Sequence, residues 1–161
     1  MFKSFALYLT VVISSYIYGG TPFENQQRIA KRGDAMVQNL VGKSYYNGNE
    51  EVAQDFVKAV EWFKLSANQG YAAAQYNLGL MYFYGHGVIQ DYEEAYRWYK
   101  KAAEKNHTIA QYELGFIHRF GLGVKRNHSQ SAEWFKKAAS EGDLLAQYDL
   151  ANNFEKGEGV K

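Results

Sequence analysis

The sequence repeats itself every 36 residues, and this periodicity restricts the fold more than composition does. Ala74-Gln75-Tyr76 returns as Ala110-Gln111-Tyr112 and again as Ala146-Gln147-Tyr148. Leu78, Leu114 and Leu150 keep the same step, as do Trp62, Trp98 and Trp134. Gly85-His86-Gly87-Val88 returns as Gly121-Leu122-Gly123-Val124 and Gly157-Glu158-Gly159-Val160. A weaker first copy begins at Gly33. There Gln38 and Tyr45 precede Gln75 and Tyr82 by 37 residues, and the step returns to 36 from Asp55 to Asp91. One extra residue therefore sits in the loop Asn49-Glu50-Glu51.

Each copy is long enough for two helices and a turn. In the second copy the pattern predicts helix A over 72–84, stopped by Gly85, because glycine takes the left-handed conformation of a helix end at little cost. Helix B is expected over 92–105, with Asp91 as N-cap and Glu94 completing a capping box; Asn127 and Gln130 repeat the pair. Gly70, Asn106 and Gly142 follow the B helices, as C′ residues should. Thr21, Pro22 and Glu24 open a further helix over 22–32, which reads as an N-terminal cap. The expected divisions are repeats at 33–69, 70–105 and 106–141 and a partial repeat at 142–161. A single proline in 161 residues agrees with an all-α chain.

From Gly33 to Lys161 these motifs resemble the Sel-1-like repeat, a relative of the tetratricopeptide repeat. The resemblance implies a right-handed α-α superhelix, a solenoid of antiparallel helix hairpins. It also implies an adaptor or scaffold that binds other proteins, and in bacteria an exported one. A cysteine-rich branch of that family is linked to penicillin binding or β-lactamase activity. This chain has no cysteine, so it departs from that branch. An envelope enzyme acting on peptidoglycan or a β-lactam is the alternative reading.

At about 100° per residue, Ala74, Gln75, Tyr76, Leu78 and Gly79 share one arc of helix A and are expected to pack. The opposite arc holds Asn77, Leu80, Met81 and Tyr84. Its counterparts are Glu113, Phe116, Ile117 and Phe120, then Asp149, Asn152, Asn153 and Lys156. Stacking would set Asn77, Glu113 and Asp149 in one row and Leu80, Phe116 and Asn152 in another. The expected partner-binding residues are Asn77, Leu80, Tyr84, Glu113, Phe116, Phe120, Asp149 and Asn152, on a concave surface that takes a protein or peptide segment. Helix A of the partial repeat keeps Leu145, Tyr148, Leu150 and Phe154 apolar. It is expected to act as an imperfect cap or to recruit another chain end to end.

Other chemistries find little support. The Gly-x-Gly-Val loops follow helices, whereas a phosphate loop follows a strand. The four histidines, His86, His107, His118 and His128, lack metal-helix spacing, and His118 falls where Tyr82 and Phe154 stand, a packing position. No Ser-x-x-Lys or Gly-x-Ser-x-Gly occurs, so no catalytic residue, metal or cofactor is expected. Eighteen basic against 17 acidic side chains show no excess that would recruit nucleic acid.

The start of the chain differs from the rest. Lys3 precedes the apolar run Phe5–Ile13, and small residues follow at Gly19 and Gly20. This is the pattern of a secretory signal peptide over 1–20, too short to span a bilayer, with no membrane span left after its removal. Secreted or periplasmic location follows. N-terminal sequencing of the mature protein is expected to begin near Gly20 or Thr21; an intact Met1 in a cytosolic fraction would contradict it.

Overall fold

A computed structural model describes residues 19–159, and the apolar segment Phe5–Ile13 lies outside the described residues. Eight α-helices and no strand occur among the described residues. They are α1 (Pro22–Ala30), α2 (Ala35–Asn47), α3 (Phe56–Asn68), α4 (Ala72–Tyr84), α5 (Tyr92–Ala103), α6 (Thr108–Phe120), α7 (His128–Ser140) and α8 (Leu144–Lys156). The pairs α2–α3, α4–α5 and α6–α7 are the A–B hairpins of three successive repeats. Each B helix also packs on the A helix of the next repeat, so the chain forms an all-α solenoid.

One aromatic residue of helix B sets each hairpin. Phe63, Tyr99 and Phe135 are wholly buried and lie 36 residues apart. Their rings lie where a Cβ would stand on Gly42, Gly79 and Gly115 of the paired A helix; at Gly79 the ring of Tyr99 would be 2.6 Å from it. The repeated glycine is therefore a socket. The tryptophans one position earlier are only half-buried. Trp98 and Trp134 pack at the edge of the preceding repeat's core, with Lys101 and Lys137 laid over their rings at 3.8 and 4.0 Å.

The repeated glutamine does a different job. Gln38, Gln75, Gln111 and Gln147 donate to the carbonyls of Ala30, Ala67, Ala103 and Ala139, eight residues earlier. These carbonyls end the preceding helix of the B type and lack a partner within it. Each A helix thus caps the helix before it.

The capping boxes expected on the B helices form only in half. Asp91 accepts from Glu93 and Glu94 backbone N–H groups, and Asn127 accepts from Gln130. The reciprocal bond is missing because the N-cap N–H is already taken: Asp91 donates to Tyr82 O and Asn127 to His118 O, at 2.9 and 2.8 Å. Glu94 turns instead to Arg97. At Thr21, which has no preceding A helix in the described residues, the box with Glu24 is complete. Helix α5 ends at Ala103, two residues short of the expected 105, because a tight turn to Asn106 (φ 59°) starts there.

The second glycine of each Gly-x-Gly loop joins one repeat to the last. A Cβ on Gly87, Gly123 or Gly159 would overlap the backbone of Phe56, Tyr92 or His128, the first residue of the previous B helix. In α8, Leu144, Leu145, Tyr148 and Phe154 are exposed.

Gly123 is left-handed (φ 66°) as well as crowded, whereas Gly142 is left-handed (φ 91°) in open space. Gly142→Ala should cost about 1–2 kcal/mol of unfolding free energy from backbone strain. Gly123→Ala should cost at least about 2 kcal/mol more, since backbone must move as well. Urea denaturation of the two variants checks the difference; equal losses would show that the loop does not bind the neighbouring repeat.

Candidate interaction surface on the A helices

The A helices bring the expected row together, but most of it is already occupied. Asn77 donates to Asn39 Oδ1 at 2.8 Å, across one repeat boundary. Across the last boundary, Tyr112 donates to Asp149 Oδ2 at 3.1 Å. Arg119 also grips Asp149: Nη1 donates to Oδ1 at 2.5 Å, and Nη2 to the Asp149 carbonyl at 3.1 Å and Asn153 Oδ1 at 2.9 Å. The guanidinium lies 4.6 Å above the Phe135 ring. Asp149 is therefore a half-buried anchor between repeats. Asn152 is half-buried nearby, with Phe120, Arg126 and Lys156 around it.

Glu113 holds the middle of the row and differs. It is half-buried, with no hydrogen bond or ion pair among the described residues. Burial, and secondarily the charge of Asp143, raises its carboxyl to about 7. Glu113 is also the foremost charge acting on the hydroxyls of Tyr76 and Tyr99. Burial pushes Tyr76 up to about 12, and Tyr99 is raised as well. His107 stacks on Tyr76 at 4.8 Å, and burial lowers its pKa.

The apolar row divides in two. Tyr84 and Phe120 stand at the same repeat position and are 57% and 56% exposed. Tyr84 meets Phe83 edge-on at 5.0 Å and stacks with His86 at 5.6 Å; Phe120 leans on half-buried Phe116 at 4.6 Å. Leu80 packs at the junction of two core clusters. Met81, Ile117 and Asn153, expected on the free arc, are buried instead. Met81 lies seven residues from Ala74 and three from Leu78, which continues their buried stripe rather than opposing it.

His118 is a packing residue, buried edge-on against Tyr96 at 5.6 Å, with neither ring nitrogen bonded. No group of His, Asp and Glu among the described residues has metal-binding geometry. The structure also shows what sequence pattern missed: Arg119 as the clasp of Asp149. Its counterpart is Phe83, so it breaks the repeat, and that break was the available clue.

The Glu113 carboxyl, raised above its ordinary 4.5, makes stability fall as pH rises. The folded state keeps the proton between pH 4.5 and about 7 that the unfolded chain has lost, so the cost of ionising is absent below that window and complete above it. Glu113→Gln should therefore be more stable than wild type at pH 8, by about 1–2 kcal/mol after solvent screening, and indistinguishable at pH 4. Thermal melts across pH check this; a pH-independent difference would contradict it.

Comparison with known proteins accords with this architecture. The Sel1 repeat family model matches residues 35–71, 72–107, 108–143 and 144–161. The sel1-like repeat-containing protein L21 of Acanthamoeba polyphaga mimivirus is 44% identical over 63 residues, 38% of this chain and 11% of its own. Among solved structures, a protective antigen of uropathogenic Escherichia coli with an SLR fold superposes with a TM-score of 0.87 at 35% identity, over 97% of this chain and 34% of the antigen. A Sel1 repeat protein from Oxalobacter formigenes gives 0.80 at 32% identity, over 95% of this chain and 63% of its own. Cysteine rich protein B of Helicobacter pylori shares the fold, with 0.64 at 22% identity over 82% of this chain and 99% of its own. This chain thus spans a ninth of the mimivirus relative and about a third of the E. coli antigen. Four consecutive matches covering most of its length place the chain in the Sel1 repeat family.

Proposed function

We propose that this protein is an exported scaffold that binds a protein or peptide segment across its A-helix face. The observation that carries the reading is the pair of exposed aromatics, Tyr84 and Phe120, one repeat apart at the C-terminal ends of α4 and α6, with the unpaired Glu113 two turns earlier on α6. Exposed aromatic rings beside a polar selector are the usual anchors of a protein interface. The neighbouring row positions, Asn77 and Asp149, are spent on repeat stacking, so they shape the surface more than they select a partner. Sel1 repeat proteins mediate protein interactions and are in general non-enzymatic scaffolds, which supports binding over catalysis.

Export rests on the Lys3 and Phe5–Ile13 pattern. No helix among the described residues is long and apolar enough to cross a membrane. The similarity to a protective antigen of E. coli agrees with exposure outside the cell.

Alanine at Tyr84 and Phe120 together should weaken a partner captured from the native envelope by tenfold or more, or about 1–3 kcal/mol, with helical content unchanged by circular dichroism. Unchanged affinity would move the site to the loops 85–91 and 121–127.

A further inference from the structure

The solenoid contains one guanidinium site that it fills by itself and, one repeat earlier, the same site with its cation missing. In the filled site Asp149 accepts from Arg119, Tyr112 donates to the same carboxylate, and the buried ring of Phe135 lies beneath the guanidinium. Moving back 36 residues replaces Asp149 by Glu113, Tyr112 by Tyr76, Phe135 by Tyr99 and Arg119 by Phe83. Carboxylate, flanking tyrosine and buried ring are all retained, and the cation alone is lost. Phe83 does not take over the role of Arg119. Its ring centroid is 6.4 Å from that of Tyr99, and it makes closer contacts with Tyr84 and Tyr92, at 5.0 and 5.1 Å.

A second observation points to the same place. Phe63 and Phe135 fill the socket position in the neighbouring repeats, and only here does the ring carry a hydroxyl. That residue, Tyr99, is 0% exposed and its hydroxyl has no hydrogen-bond partner. An unpaired buried hydroxyl is costly where phenylalanine would pack as well. It lies in the field of the Glu113 carboxylate, which itself has no partner among the described residues. Two unpaired groups, one anionic and one able to accept a hydrogen bond, ask for a donor-only cation. The planar guanidinium suits an aromatic floor and a carboxylate together, as Arg119 shows one repeat away.

We propose that Glu113, with Tyr76 and Tyr99 around it, receives the side chain of an arginine in the bound segment, completing the site that Arg119 completes internally at Asp149. This rests on the proposed peptide-binding role and names the residue that the surface selects. Tyr84 and Phe120, toward the C-terminal ends of the A helices, then hold apolar residues of the same segment.

The test uses the purified full chain and Nα-acetyl-arginine methylamide as probe, followed by NMR at the Glu113 carboxyl carbon and the Tyr76 and Tyr99 ring signals. A saturable shift in the millimolar range is expected. It should weaken at least fivefold in Glu113→Gln, which retains the fold, and about twofold or more in Tyr99→Phe, which keeps the ring. The neutral citrulline analogue should produce no saturable shift. No saturation at Glu113 with arginine, a shift that survives Glu113→Gln, or equal binding of the citrulline or lysine analogue would each overturn the assignment. The result is independent of the partner capture described above. Loss of the arginine shift with Tyr84 and Phe120 still required for capture overturns only this site, and the converse overturns only the wider binding surface.

Discussion

The aromatic ring seated on a glycine is the contact from which the rest of this solenoid is built. With Phe63, Tyr99 and Phe135 pressed against Gly42, Gly79 and Gly115, each ring takes the space of the missing Cβ and sets how closely the two helices of the hairpin approach. A close-packed interior tolerates little change of volume there, so the hairpin has one spacing and one register. In α8 the equivalent residue is Ala151, exposed and facing no ring, which marks where the described hairpins stop repeating.

Hairpins alone do not make a solenoid. Neighbouring repeats are joined by three recurring devices: the glutamine that caps the preceding B-type helix, the glycine that lets a loop lie on the start of the previous B helix, and the row of polar residues along the A helices. Each acts only between adjacent units, so cohesion is nearest-neighbour in character. The polar row shows how a repeat can carry function within such economy. Asn77 and Asp149 find partners within the chain, while Glu113, at the same register, has none among the described residues. Function is then expected where the repeat leaves a bond unmade, because a half-buried charge without a partner is a cost the fold alone gives no reason to bear.

Much of this was legible in the sequence because the relevant signals are local or periodic. The bounds of α4, the left-handed stops at Gly85, Gly121 and Gly157, and the positive φ of Gly70, Asn106 and Gly142 all followed from residue type and the 36-residue step. The surface was only partly legible. Periodicity separates the recurring from the variable, yet variable positions are not always free: Met81 and Ile117 vary and are buried, and Asp149 varies and is clasped. The capping boxes at Asp91 and Asn127 were misread for a similar reason, since the N–H groups they would have served were taken by the A helix of the same hairpin.

The sequence by itself determined that this chain is a run of helix hairpins, the 36-residue step that spaces them, and which family it belongs to, because turn chemistry, caps and repeated packing residues act over short spans. Only the tertiary structure decided which member of the polar row remains unpaired. Arg119 reaches Asp149 across 30 residues of chain, while among the described residues no cation reaches Glu113. That distinction depends on which side chains meet across a repeat boundary, and a contact of this kind exists only once the helices have stacked.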